Sequence, residues 1–343
     1  MLQQPMTRLA VVVLGLLYAA VFLAPWLAPY PEHWADARFA SAPPTPIYWR
    51  HPQTGALIWP SVPELTRTVY PERFSVQIVP KPGGRLFPLR LGQFLGEQNA
   101  QWHFIGVDSP GRLFLLGTDT NGRDWFSRLL YGGRVSLTVG FLSLLVAIPM
   151  ALLIGGIAGF AGGWIDFLLM RLAEVFMAIP SLFLLLALAA SLPAELSSTA
   201  RFAWVTVILA FIGWPGLSRV IRGMVLSIKQ QPFLDAGRVM GFSRLRLLIR
   251  HVLPQTLSYV IVAVSIGVPG YILAESGLSF LGLGIQQPDA SWGNLLKEAQ
   301  SLTNILQRPW MLAPGLLIAI AVLAYNILGD AVRDSADPAT TGR

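Results

Sequence analysis

Gln231-Pro-Phe-Leu-Asp-Ala-Gly-Arg-Val-Met-Gly241, continuing as Phe242-Ser-Arg-Leu-Arg-Leu-Leu-Ile-Arg-His-Val-Leu-Pro254, interrupts a chain whose second half is otherwise mostly apolar. The stretch reads as two short helices with a sharp break. Pro232 suits a first helical turn. Asp235 lies near that N-terminus, where negative charge is favourable. Gly241 suits the left-handed position that ends a helix, and Ser243 suits a cap on the next one. Pro254 then opens an apolar run. Ala236 and Gly237 leave a bare patch on one helix face. A short helix of this kind, held outside a membrane, is suited to docking in another protein's groove. The plainer alternative is an ordinary basic loop lying on anionic lipid.

Charge orients the rest of the chain around it. Arg222, Lys229, Arg238, Arg244, Arg246 and Arg250 lie in the loop 222–255 that contains this stretch, against the one acid Asp235. The positive-inside rule assigns such a loop to the cytoplasm. Apolar runs lie near 9–28, 135–160, 172–192, 203–221, 256–275 and 311–329. About 20 helical residues span the hydrocarbon core, and backbone groups in lipid must be satisfied internally, so runs of this length are expected to be helices. Six spans then place both termini in the cytoplasm. The first run, Leu9 to Ala28, is longer than the apolar part of a signal peptide and is read as an uncleaved helix. Gly155, Gly156 and Gly159, with Ala151 and Ala158, have spacings that permit close helix approach. No Gly-Lys-Ser/Thr follows them, so they do not form a phosphate loop. Trp26, Trp164, Trp214 and Trp310 fit interfacial anchoring.

Composition agrees. Of 343 residues, 54% are hydrophobic and only 13% are charged, where a soluble chain carries about a quarter. The net charge is +7 and the pI is near 10. The basic residues cluster beside apolar spans, which explains the charge better than nucleic-acid binding does. Cysteine is absent, which excludes thiol nucleophiles and Cys-based metal sites. Histidines 33, 51, 103 and 251 show no metal-ligand spacing.

Residues 31–116 differ. Twelve of the 26 prolines fall between Pro31 and Pro110, and charges of both signs return. Strand-like pieces lie at 74–79, 102–107 and 112–116. Asp108-Ser-Pro-Gly111 between the last two is a turn sequence that predicts a β-hairpin. The expected organisation is a tail and first helix over 1–30 and a small proline-rich external insertion with β-structure over 31–116. A core of five helices over 117–334, holding the cytoplasmic loop 222–255, and a tail over 335–343 complete it.

The 231–254 stretch resembles the Glu-Ala-Ala loop of ABC importer permeases, in which Glu-Ala-Ala, three residues, Gly, nine residues and Ile-x-Leu-Pro follow in order. Asp235, Ala236, Gly237, Gly241, Leu253 and Pro254 occupy those places. Asp replaces Glu, Gly replaces the second Ala, and His251 replaces Ile. Arg250-His251 with Leu253-Pro254 is similar to the form found in the peptide-type subfamily. The resemblance implies that this loop is the coupling helix that inserts into an ATPase subunit, with Met240 among the docking residues. Leu116-Gly-Thr-Asp-Thr-Asn-Gly-Arg-Asp-Trp-Phe-Ser-Arg128 resembles the Gly-Thr-Asp-x-x-Gly-Arg-Asp segment of dipeptide, oligopeptide and nickel permeases. Glu275-Ser-Gly-Leu-Ser-Phe-Leu-Gly-Leu-Gly284, with Pro288 and Ser291-Trp292-Gly293, agrees. The implied fold is the all-α permease fold of type I ABC importers. The implied function is a peptide pore driven by partners: a second permease, two ATPases that bind ATP and Mg, and an external solute-binding protein. This chain has no Walker A sequence and is expected to bind no cofactor itself. Nickel or another small solute is the alternative cargo.

Gly117, Thr118, Asp119, Gly122, Arg123, Asp124, Ser127 and Arg128 are expected at the external mouth of the second span. Their alternating charges suggest a solvated ion-pair cluster, or else a contact for substrate or binding protein. Arg171 and Glu174 are one turn apart and suit a structural pair. Glu275, an intramembrane acid, is a candidate for the translocation path or for a bond to a backbone donor. Two other function classes are weighed. A membrane enzyme would need a catalytic group in 31–116, where Glu64 and Glu72 have no supporting context. A stand-alone channel or secondary transporter would favour repeated spans, and none is seen.

Overall fold

The computed structural model describes residues 4–70, 75–95, 101–193 and 195–336. Two compact units emerge. One comprises Met1–Gly15, Ser136–Ile285 and Ile318–Arg343, the other Leu16–Val135 and Gln286–Leu317.

Helices dominate the first unit and follow the apolar runs. Pro5–Phe22 (α1), Trp125–Ala161 (α3), Ser198–Ile228 (α6), Arg244–Phe280 and Pro309–Ser335 are each long and apolar enough to cross a membrane. Here α3 and α6 approach closely. A Cβ on Gly155 would run into the carbonyl of Ser218, and one on Gly159 would lie 2.9 Å from Val225. The small-residue spacing at 155–159 therefore serves helix packing as expected.

The run at 172–192 is not one straight helix. Gly163–Ala178 (α4) and Ser181–Ala190 (α5) meet at 85°. Ile179 before Pro180 is extended, at ψ 125°, as sterics ahead of proline favour. Pro149, Pro215 and Pro269 instead lie inside α3, α6 and Leu257–Phe280 (α9) without ending them. Trp214 is not an interfacial anchor. It is buried and packs edge-on against Phe176.

In the second unit, α1 leads into Ala24–Leu27 (α2) and then into β-structure. Tyr48–Arg50 (β1), Leu57–Pro63 (β2), Leu86–Leu95 (β5) and Gln101–Val107 (β6) form a sheet in the order β1-β2-β5-β6. Leu65–Tyr70 (β3) pairs separately with Ser75–Pro80 (β4). Expected strands at 74–79 and 102–107 match β4 and β6, although Phe74 lies outside the described residues.

The predicted hairpin is wrong. The turn forms, with Gly111 donating to the carbonyl of Asp108 at 2.9 Å, but 112–116 is not a strand. Consecutive Leu113 and Phe114 are both buried, against strand alternation. Their N–H groups go to the Tyr30 hydroxyl and to Thr45 Oγ1. Instead β6 pairs antiparallel with β5, Leu91 opposite Ile105. Pro88 and Gly92 had hidden that strand, since both residues are depleted in strand interiors.

Helices Trp292–Glu298 (α10) and Leu302–Gln307 (α11) follow in this unit. Helix α12 covers Ala313–Ala336, and Pro232–Val239 (α7) with Arg244–Leu247 (α8) lie between α6 and α9.

Candidate functional site

Three groups of residues singled out by the sequence are gathered by the fold, each differently. The first is the break between α6 and α9. Gln231 is extended and Pro232 starts α7. The helix ends where Gly241 takes φ +78°, a conformation that disfavours a Cβ. Phe242 N donates to Gly237 O at 3.1 Å and Gly241 N to Arg238 O at 3.0 Å, which satisfies carbonyls left over at the helix end. Ser243 Oγ accepts from Arg246 N and so caps α8. The local readings of Pro232, Gly241 and Ser243 hold, whereas Pro254 does not open the span, which runs from Arg244 to Phe280.

Its faces are not as expected. Leu234 and Gly237 are buried, within or against a cluster of Ile221, Val225, Ile228, Leu247, Leu248 and Val252. A Cβ on Gly237 would lie 2.8 Å from Leu247. Gly237 is bare so that α7 can seat on its own chain, and it does not offer a free patch. Leu253 packs on the same cluster, and Pro254 stands in the tight turn leading into α9. Ala236 is exposed. The outward face carries Val239, 89% exposed, and Met240, 65% exposed. Asp235 and Arg238 pair at 2.8 Å on the surface. Arg222, counted with the loop, belongs to α6 and pairs with Asp166 through two contacts of 2.5 and 2.6 Å.

The second group is the segment 117–128. Asp119 organises it. Its Oδ1 accepts from the N–H groups of Asn121 and Arg123, and its Oδ2 takes Arg123 Nε at 2.6 Å. Arg128 Nε lies 3.7 Å from the same oxygen. Asp124, one residue ahead of α3, accepts from Ser127 N and Oγ at 2.7 and 2.6 Å, as an N-cap does. Thr118 exchanges bonds with Ala42. Gly122, at φ +77°, lies too close to Asp36 for any side chain. Arg128 reaches the carbonyl of Pro288, and Arg123 Nη2 is 3.5 Å from Glu298.

This cluster is buried, not solvated. Asp119, Arg123, Asp124 and Arg128 are all within the interior. Asp119 is offset there by Arg123 and Arg128, whereas the Asp124 carboxyl meets no cation and is held by Ser127 alone among the described residues. Burial pushes the carboxyls of Asp124 and Glu298 up to about 7, with the nearby Asp119 charge adding to both. Glu298 is not among the residues that the sequence singles out.

Glu275 in α9 is the third. It is fully buried. Ser136 and Ser279 hydroxyls donate to its two oxygens at 2.9 and 2.6 Å, with Ser276 at 3.4 Å. Ser279 Oγ in turn accepts from Ile285 N. The residue therefore lies in a hydroxyl cage. Arg171 and Glu174 pair as expected, and Arg219 joins them at 3.1 Å. Of the paired acids considered for an enzyme, Glu64 is engaged by Lys81 at 2.8 Å, and Glu72 lies outside the described residues.

The chain matches known proteins over much of its length. Residues 151–342 match the family described as binding-protein-dependent transport system inner membrane component. The dipeptide transport system permease protein of Bacillus subtilis is 38% identical over 248 residues, covering 72% of each chain. The oligopeptide transport system permease protein of Haemophilus influenzae is 36% identical over 224 residues, 65% of this chain and 70% of its own. The glutathione transport system permease protein of Pectobacterium atrosepticum is 36% identical over 231 residues, 67% of this chain and 74% of its own. With more than half its length matched, and apolar helices enough for five or six spans, this chain belongs to the inner-membrane permease components of binding-protein-dependent transport systems.

Proposed function

We propose that this chain forms half of the pore of an ATP-driven importer for short peptides, and that α7 is where the ATPase subunits engage it. The carrying observation is the outward face of α7. Val239 and Met240 are large, apolar and exposed on a helix fixed from beneath by Leu234 and Gly237. Exposed apolar side chains on a rigid support suit a protein partner better than solvent. The basic residues around the helix support a cytoplasmic position for it, with both termini on the same side and 31–116 outside. The peptide cargo is supported by the names of the relatives, which are dipeptide, oligopeptide and glutathione permeases.

In this reading a second permease completes the pore and two ATPases hold ATP and Mg. An external binding protein delivers the peptide. Closure of the ATPases pushes α7, and the seated helix passes the displacement to α6 and α9. The segment 117–128 acts as the frame of the outer mouth. The test is tagged purification in mild detergent with mass spectrometry of what remains bound. Two ATPases and a second permease are expected. A chain that purifies alone, under conditions that preserve other transporters, overturns the proposal.

A further inference from the structure

A tight turn opens the segment after α2. Trp34 N donates to Pro31 O at 3.1 Å, and the Trp34 ring stacks on Tyr30 with centroids 4.1 Å apart. The turn aims the neighbouring side chains of Glu32 and His33 at Asp289, in the loop ahead of α10. One donor atom from each of the three lies within 4.8 Å of the other two. His33 Nε2 is 3.7 Å from Asp289 Oδ1. The far side is held as well, since Asn294 Nδ2 donates to the Asp289 carbonyl at 2.9 Å.

We propose that Glu32, His33 and Asp289 bind a divalent first-row transition cation of the Zn2+ class. One imidazole and two carboxylates are a donor set suited to such ions, with water in the remaining place. Mg2+ and Ca2+ take oxygen ligands and make poor use of an imidazole. Bonds of about 2.0–2.2 Å bring ligand atoms to roughly 3.3 Å from one another in a tetrahedron. With His33 and Asp289 already 3.7 Å apart and no pair beyond 4.8 Å, the side chains must close by between about 0.4 and 1.5 Å, and the exposed His33 is free to do so. Two carboxylates attract a cation here, and the nearby guanidinium groups of Arg128 and Arg134 weaken that attraction. Bound metal ties the 31–34 turn to the loop ahead of α10, two segments far apart in the chain.

The experiment uses the full-length protein in detergent, purified without an oligohistidine tag and stripped with chelator. Zn2+ is titrated against a chromophoric competitor, and thermal unfolding is followed with and without Zn2+. The wild type is expected to take up one Zn2+ and to melt at a higher temperature in its presence. H33A and D289N should lose about tenfold or more in affinity, a loss that even outer-shell partners of ligands produce, together with the thermal shift. H51A should retain both. H33A removes an exposed side chain and D289N keeps its shape, so both variants are expected to fold. Absence of Zn2+ uptake by the wild type, equal uptake by H33A, or equally tight uptake of Mg2+ would each overturn the assignment.

Discussion

Segments 117–128 and 229–254 pose the same puzzle in sequence, a short charged motif beside an apolar span, and the structure resolves them oppositely. In 117–128 the charges alternate in sign and turn inward. Asp119 binds its own loop's N–H groups and Arg123, and Arg128 lies beside the same carboxylate, so opposite charges offset one another in the interior. In 229–254 the charges are nearly all positive. They cannot neutralise one another, so they stay outside while Leu234 and Gly237 face the chain. Balance of charge within a segment decides whether it closes on itself or faces outward. The first segment thus turns its charges inward, and the second keeps them at the surface.

The largest expected effect tests the buried side of that contrast. Asp119→Ala leaves Arg123 and Arg128 without their shared carboxylate. Breaking a buried pair in this way costs about 3–5 kcal/mol, enough to deplete folded protein from the membrane. Quantifying detergent-soluble protein and its melting temperature checks this, and a level near wild type would mean that the cluster is not a keystone. Next comes Gly241→Ile. A β-branched residue at φ +78° is strained, which re-aims Met240 and α8. Peptide uptake should be lost while the protein persists in the membrane. Normal uptake would remove α7 from the coupling role.

A smaller effect concerns pH. Asp124 titrates near 7 when folded and near 4 when unfolded. Between those values the folded state holds the extra proton, so this group's contribution to stability falls as pH rises from about 4 to 7. Asp124→Asn should flatten the dependence of melting temperature on pH. It should not abolish it, because Glu298 contributes with the same sign. An unchanged slope would show that Asp124 is solvated. The smallest effect belongs to the exposed side. Arg238→Ala breaks a surface pair with Asp235 and should change stability by ~0.5 kcal/mol or less. A large loss in thermal unfolding would mean that α7 is held by charge, not by its apolar seat.

Much of this was legible beforehand, for physical reasons that are local. Pro232, Gly241 and Ser243 act through their own backbone preferences, and each stands where those preferences place it. The long apolar runs report their own helices. Other features depend on neighbours distant in sequence. Pro180 breaks its span while Pro149, Pro215 and Pro269 do not. A proline's freed carbonyl can be satisfied elsewhere in the packed helices, so the residue alone does not announce a break. Gly237 reads as a bare face until Leu247 is seen to fill the space. The burial of 117–128 depends on residues 36–45 and 287–298. Glu32 and His33 acquire a third neighbour only when the chain returns at Asp289.

The cage around Glu275 bears on how the helices move. Its oxygens are held by a hydroxyl on α3 and by others on α9 itself, and Ser279 passes the connection on to Ile285. Sliding α3 along α9 at this level would strip a buried acid of its donor from α3 with no solvent at hand to replace it. The two helices are therefore pinned like the blades of a closed shear. Relative sliding of α3 and α9 meets resistance at this cage, whereas the chain is already bent at Ile179-Pro180 and broken at the turns flanking α7.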